Sequence, residues 1–261
     1  MIKTLLNFLL TKKITASIIR RYFTYFKKDG SYFKIEGINM FLNFLDPVDK
    51  EIILTKKYET KQINILIQNI KKYNINYFID VGANCGYYSL IIAKKIKKIK
   101  ILSFEPNVEA IIKFKKSLKK NLFIKKKIKL KEYGLADKNC KYLMRSLVKY
   151  GYAQSSGSSI EKDNDKNFSN VVRFYAKFKK GDDQIKIKKK IISLKVDVEG
   201  SEIDVLNGLK NFLSRNKVFL QIEIFDKNYQ KVNNLLKINN FKLDNKITSN
   251  LNYGDYYYKN F

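Results

Sequence analysis

The chain has 261 residues, 45% of them hydrophobic, which is long enough for one sizeable core and too apolar for a disordered polymer. Its formal charge of +29 would ordinarily signal a nucleic-acid or anionic-membrane partner, but lysine supplies nearly all of it. Only Arg20, Arg21, Arg145, Arg173 and Arg215 carry the guanidinium fork that grips phosphate, so we read the charge, with the excess of Asn, Ile, Phe and Tyr, as background compositional bias. There is no histidine, which excludes histidine zinc sites, imidazole bases and Ser-His-Asp chemistry. Two cysteines, Cys85 and Cys140, offer neither a disulfide framework nor metal spacing and point to a reducing cytoplasm.

Residues 1–23 place Leu5, Leu6, Leu9, Leu10, Ile14, Ile18, Ile19, Tyr22 and Phe23 at helical spacing with lysines between them. The pattern predicts an uncleaved amphipathic helix, packed on the domain or lying as a basic surface against anionic lipid at the inner face of a membrane. SYFKIEGINMFLNFL (31–45) alternates around a turn glycine and predicts a hairpin, closed by Pro47. Residues 1–57 therefore read as a helix-plus-hairpin extension, and 58–261 as the main domain.

From there a helix over 61–73 precedes a regular alternation. Strand YFIDV (77–81) leads to a helix over 87–96, and KILSF (100–104) to a helix over 108–121, before a third strand over 127–133. IISLKVDV (191–198) leads to a helix over 202–214, and VFLQIEIF (218–225) to a helix over 228–239. Such alternation predicts an α/β, doubly wound, mostly parallel sheet covered on both faces. The last two pieces, FKLDN (241–245) and YYYKNF (256–261), lack an intervening helix and predict an antiparallel hairpin at the sheet edge. The stretch over about 145–190 is irregular. It contains a Ser/Gly/Asn-rich segment and the alternating VVRFYAKF (171–178), and reads as a lid or substrate loop.

Ligands of doubly wound sheets sit at the carboxyl ends of the strands. Those ends carry Asp80, Glu105, Asp197 with Glu199, and Glu223. In FIDVGANCGYYSL (78–90), Gly82 and Gly86 leave room for close backbone approach, but Asn84 breaks the dinucleotide pattern G-x-G-x-x-G. A carboxylate at Asp80 repels a diphosphate and suits a cation, as S-adenosylmethionine is at its sulfur and amino group. Glu105 lies at the next strand end, where an acid accepts hydrogen bonds from the vicinal hydroxyls of a ribose.

FIDVGANCGYYSL, SFEPN (103–107), SLKVDVEGSEIDVLNGL (193–209) and LQIEIF (220–225), in that order, resemble the FkbM-type family of S-adenosylmethionine-dependent methyltransferases. The resemblance covers roughly 58–258 and implies the seven-stranded, Rossmann-like class I methyltransferase fold. It implies a cofactor site made of Glu59 in KKYET, Asp80, Gly82, Ala83, Asn84, Gly86, Tyr88 and Ser89 in the first loop, and Glu105, Pro106 and Asn107 in SFEPN. Gly134 and Leu135 in EYGLADK (132–138) would meet the adenine end, and Asp197 the methionine end. SSGSS (155–159) resembles the Gly/Ser stretch before the fourth main strand of that family.

Strand alternation puts Lys195, Asp197 and Glu199 on one face, so two carboxylates share a strand end. Either they pair with Lys195 or they serve the active site, and we take Asp197, Glu199 and Glu223 as candidate catalytic groups. Glu202 and Asp204 read as first-turn acids behind a Ser201 N-cap. No Asp-Asp-Asn metal set is evident, so no metal is expected. Only Pro47 and Pro106 exist, which removes the Pro-containing motifs of exocyclic-amine and cytosine C5 base methylation. The reading is O-methylation of a sugar, polysaccharide precursor or similar small hydroxyl acceptor. Ribose 2′-O-methylation of RNA, and a non-catalytic cofactor-binding or membrane-peripheral protein, stand as alternatives.

Overall fold

The computed structural model describes residues 21–22, 29–161, 169–248 and 252–261. The helix expected over 1–23 falls outside the described residues apart from Arg21 and Tyr22, both exposed. Strands Ser31–Ile35 (β1) and Ile38–Leu42 (β2) form the expected antiparallel hairpin. Directly after it comes a helix that the sequence reading missed, Pro47–Thr55 (α1). Asp46 caps it by accepting from the Val48 amide at 3.2 Å, and Pro47 occupies the first turn, where its absent N–H leaves nothing unsatisfied.

Helix Thr60–Lys72 (α2) buries Ile63, Leu66, Ile67 and Ile70, the single stripe its periodicity predicts. Tyr77–Val81 (β3), Tyr87–Lys95 (α3), Lys100–Phe104 (β4), Val108–Lys120 (α4) and Ile128–Lys131 (β5) follow within a few residues of expectation. The region beyond β5 departs from it. Gly134–Ala136 (β6), Cys140–Lys149 (β7), Tyr152–Ala153 (β8), Ser159–Ile160 (β9) and Val171–Lys180 (β10) are strands, not an irregular loop over 145–190. β7 and β10 pair antiparallel, and β10 pairs parallel with β6, so a second small sheet begins at residue 134 and roofs one end of the molecule. Its strands alternate apolar and charged residues, and the Ser/Gly-rich segment between them masked the pairing.

Ile191–Val196 (β11) leads to Glu202–Gly208 (α5) and Lys210–Arg215 (α6), two short helices separated at Leu209 where one was expected. Lys217–Phe225 (β12), Tyr229–Ile238 (α7), Lys242–Thr248 (β13) and Tyr253–Lys259 (β14) complete the chain. The main sheet has seven strands in the order β13-β14-β12-β11-β3-β4-β5. The pairings β12–β11–β3–β4–β5 are parallel, and the final hairpin joins antiparallel at the edge as expected. The order reverses between β3 and β11, which makes their carboxyl ends the switch point.

Each face of the sheet has its own core. Phe78, Ile101, Phe219 and Tyr257 face α2, α3 and the hairpin; Ile79, Leu194, Val196 and Ile222 face α5 to α7. No helix among the described residues is long and apolar enough to cross a membrane.

Candidate functional site

The strand register explains why polar groups converge at the switch point. Across the sheet, Ser103, Asp80, Lys195, Gln221 and Tyr257 stand in one rung. Two residues further along the same face come Glu105, Gly82, Asp197, Glu223 and Asp255, with Glu223 directly opposite Asp255. This face thus ends in two mainly polar rows beyond the rung that holds Phe78, Ile101 and Phe219.

The loop after β3 is shaped by the protein's own packing. At Gly82, φ is +83° and a Cβ would lie 1.8 Å from the Asp197 carbonyl oxygen; at Gly86, φ is +84° and a Cβ would strike the Phe114 ring at 2.3 Å. Glycine is therefore required at both turns irrespective of any ligand. Between them the Asn84 amide donates to Glu105 Oε2 at 2.7 Å, while the Asn107 amide donates to Oε1 at 2.8 Å. Glu105 is 6% exposed, and burial pushes its carboxyl up to about 7. Asp80 sits deeper, fully buried beneath the loop, where it accepts from Ser89 Oγ at 2.6 Å and leaves Oδ1 without a partner. Burial raises its proton affinity.

On the other side of the switch point, Lys195 Nζ donates to Asp197 Oδ2 at 2.7 Å and lies 4.6 Å from the centroid of the Tyr88 ring. Burial alone would strip its proton, but Asp197, Asp80 and Glu59 together outweigh that and hold it as an ammonium. Tyr88 in turn donates to Glu59 Oε2 at 2.5 Å and accepts from Gln221 at 3.4 Å; Gln221 and Gln62 both donate to Asp255, at 2.9 and 3.1 Å. Glu59 occupies the N-cap position of α2 in a left-handed conformation, and burial raises it to about 7. Glu199 also sits at positive φ, 53°. Burial, then Asp197, raises Glu199 to about 7, and the same two causes raise Glu223 to about 10. Ser201 makes no side-chain cap to α5; Glu202 Oε1 instead accepts from the Gly200 amide at 2.7 Å.

Of the residues singled out in the sequence, one cleft under the roof is lined by Gly82, Asn84, Glu105, Pro106, Gly134, Leu135, Asp197 and Glu199. Asp80, Ala83, Gly86, Tyr88, Ser89, Asn107, Glu59 and Glu223 do not line it; Asp80, Tyr88, Glu59 and Glu223 are instead grouped around Lys195. The sequence reading marked SSGSS and took the surrounding region as a lid or substrate loop without naming its site residues; Met144, Ser155, Ser158, Ile160 and Phe178 of the roof line the cleft. Ser155 Oγ reaches Asn84 Oδ1 at 3.0 Å, and Asn107 donates to Ser158 Oγ at 2.7 Å. Gly/Ser richness marked this segment as unusual, but nothing local in it names these long-range partners.

The strand order, with its switch point between β3 and β11 and its antiparallel edge hairpin, defines a Rossmann-like class I methyltransferase fold. The chain matches the Methyltransferase FkbM domain over residues 80–245 and belongs to the FkbM family of S-adenosylmethionine-dependent methyltransferases. Among solved structures it is similar to a methyltransferase FkbM from Methylobacillus flagellatus KT, at 18% identity and TM-score 0.48 over 71% of this chain. It spans 44% of that protein's length. A putative O-methyltransferase from Klebsiella pneumoniae matches at 7% identity and TM-score 0.49, over 78% of this chain and 80% of its own. The magnesium protoporphyrin IX methyltransferase of Synechocystis PCC 6803, with bound S-adenosylmethionine, matches at 11% identity and TM-score 0.47, over 94% of this chain and 96% of its own. No curated protein matches the sequence.

Proposed function

We propose that the protein is an O-methyltransferase acting on a hydroxyl of a sugar, polysaccharide precursor or related small metabolite. One observation carries this reading: next to a cleft built from the family's loop motifs stand Asp197, Glu199 and Glu223, and Glu199 has its proton affinity raised to about 7. A group that exchanges its proton near neutral pH suits a hydroxyl acceptor.

The donor set fits S-adenosylmethionine. Glu105 is fixed at both oxygens by backbone amides, so its remaining lone pairs are aimed and suit the two hydroxyls of a ribose. Gly134 and Leu135 would take the adenine end and Asp197 the amino group, with Asn84 and Gly82 along the wall. Bound there, the cofactor supplies an electrophilic methyl group on a cationic sulfur. The largest requirement of the transfer is alignment, which can supply about 7–11 kcal/mol of barrier. Glu199 receives the acceptor proton, and a general base contributes about 10²–10⁴-fold. Glu223, directly opposite Asp255 and outside the cleft lining, has its proton affinity raised by burial and by Asp197, and bears on the acceptor only through the acids beside it. Lys195 holds Asp197 in place and offsets the charge of the acids around it.

Calorimetric titration with S-adenosylhomocysteine should show Glu105→Ala weakening affinity at least tenfold; unchanged affinity removes the ribose assignment. Incubation with labelled cofactor and fractionated cell glycans should yield a methyl ether by mass spectrometry. A methyl ester or methylamine as the product would sink the O-methylation reading.

A further inference from the structure

Between Ala110 and Lys131 the chain carries ten lysines and no aspartate or glutamate. In a lysine-rich protein that count alone means little; what singles the segment out is the geometry at its middle. Helix α4 ends at Asn121, and a short helical turn, Leu122–Lys125, follows. Three anchors fix this tip. The Asn121 side chain bonds Asn39 of β2 twice, accepting from its amide at 3.1 Å and donating to its carbonyl at 2.8 Å. Ile124 is buried in the core that contains Phe78 and Ile101. Lys127 donates to the carbonyls of Ala93 and Ile96, at 2.7 and 2.8 Å, and so ties the tip to the end of α3.

What the tip presents outward is apolar. Leu122 is 65% exposed and Phe123 76%, the one pair of consecutive large hydrophobic residues left so open among the described residues. Single exposed apolar residues are ordinary, but a neighbouring pair on a fixed turn gains nothing from folding. Around it Lys119, Lys120, Lys125 and Lys126 are exposed on the same segment, and Lys97 and Lys98 follow the end of α3 that Lys127 holds. None of these six makes an ion pair within the described residues. The acids of neighbouring segments, Glu36 and Glu132, are taken by Lys95 and Lys115 at 2.8 and 2.6 Å.

We infer that this tip docks the protein on an anionic phospholipid surface, with Leu122 and Phe123 entering the headgroup layer and the lysines resting on the lipid phosphates. An apolar wedge with a cationic collar is the charge complement of such a surface, and each lysine there contributes about fivefold to binding. RNA suits the tip less. Leucine has no face on which a base stacks, and residues 22–144 include no arginine. The turn lies beside the first residues of β4 and β5, where the Ile101 amide donates to the Lys127 carbonyl at 2.8 Å. The cleft lies at the other end of those strands. Docking on this tip therefore leaves the cleft in water, separated from the lipid by the five residues of β4, about 17 Å.

The test is co-sedimentation of the full chain with vesicles of phosphatidylcholine alone and of phosphatidylcholine with phosphatidylglycerol in equal parts. Wild-type protein should bind the mixed vesicles and leave the neutral ones. Leu122→Ser with Phe123→Ser changes no charge and should weaken binding about tenfold or more. Lys125→Gln with Lys126→Gln should weaken it about fivefold or more. Lys237→Gln with Lys242→Gln, exposed on α7 and on β13 at the opposite edge of the main sheet, should change it less than about twofold. An unchanged Tm reports that each variant has folded. Phe123→Gln alone, expected to weaken binding about threefold, covers the case in which the serine pair does not fold. Equal binding to both kinds of vesicle, or full binding by the variants at Leu122 and Phe123, overturns the inference. So does an equal loss in the two lysine pairs, which would leave only the global charge. Preference for single-stranded RNA over the mixed vesicles overturns it as well, and so does self-association without lipid that the serine pair abolishes.

Discussion

Two buried lysines are each surrounded by carboxylates, and the two networks are built differently. Lys113, 3% exposed on α4, donates to Asp49 at 2.6 Å and Asp46 at 3.4 Å, both carboxylates being fully buried. Asp46 also accepts from the amides and hydroxyls of Ser155 and Ser156, and these bonds with Lys113 outweigh burial and keep it ionised. Asp49 has fewer partners, and burial raises it to about 6. Lys195 is as deeply buried, but its partner Asp197 keeps 28% of its side chain exposed and faces the cleft. One network is closed on every side and ties α4, the hairpin extension and the roof together. The other is left open toward a site where a charged ligand can complete it. A buried ion pair alone is weak evidence for either role; what distinguishes them is that Asp197 opens onto a cleft while Asp46 and Asp49 are fully buried.

The comparison breaks if the two lysines respond alike. Lys113→Met leaves Asp46 and Asp49 without a counter-charge and should cost about 3–5 kcal/mol in chemical denaturation, with kcat of the folded fraction within threefold of wild type. Glu199→Gln should lower kcat by about 10²-fold or more while S-adenosylhomocysteine affinity changes less than threefold; equal kcat returns Glu199 to a structural role. Lys195→Met should destabilise less than Lys113→Met. It should move the acid limb of the kcat/KM profile to higher pH, because Lys195 favours the ionised form of Glu199. An unmoved limb would detach this lysine from the chemistry.

The smallest effect concerns Glu59. Its folded-state proton affinity is raised from 4.5 to about 7, so the folded protein holds this proton more tightly than the unfolded chain does. Its contribution is therefore most favourable below pH 4.5, declines as pH rises toward 7, and is level beyond that. Glu59→Gln should accordingly raise Tm more at pH 8 than at pH 5. Equal shifts at both values would show that Glu59 ionises normally.

Much of the main sheet was legible because each strand–helix unit announces itself locally: YFIDV ends on an acid and a glycine turn, and KQINILIQNIKKY carries one apolar stripe. The acids at the strand ends were legible for the same reason, since alternation alone assigns Lys195, Asp197 and Glu199 to one face. What could not be read was anything set by distant partners. Met144 and Phe178 are unremarkable apolar residues until β7 and β10 pair, and Ser155 is one of several serines until Asp46 and Asn84 meet it. The helix after Pro47 escaped because Pro47 was read as an ending, when the Asp46 cap makes it a beginning. The glycines mark the right loop, and what a Cβ would strike there is the protein itself, Asp197 at Gly82 and Phe114 at Gly86, although Gly82 also lines the cleft.

Ser155 has a wider consequence for how this architecture can be divided. Its hydroxyl bonds Asp46 of the hairpin extension and Asn84 of the loop after β3, so three segments far apart in the chain share one joint. A chimaera that exchanged the roof alone with a relative would arrive with its hinge pin missing. Roof and hairpin must travel as a matched set.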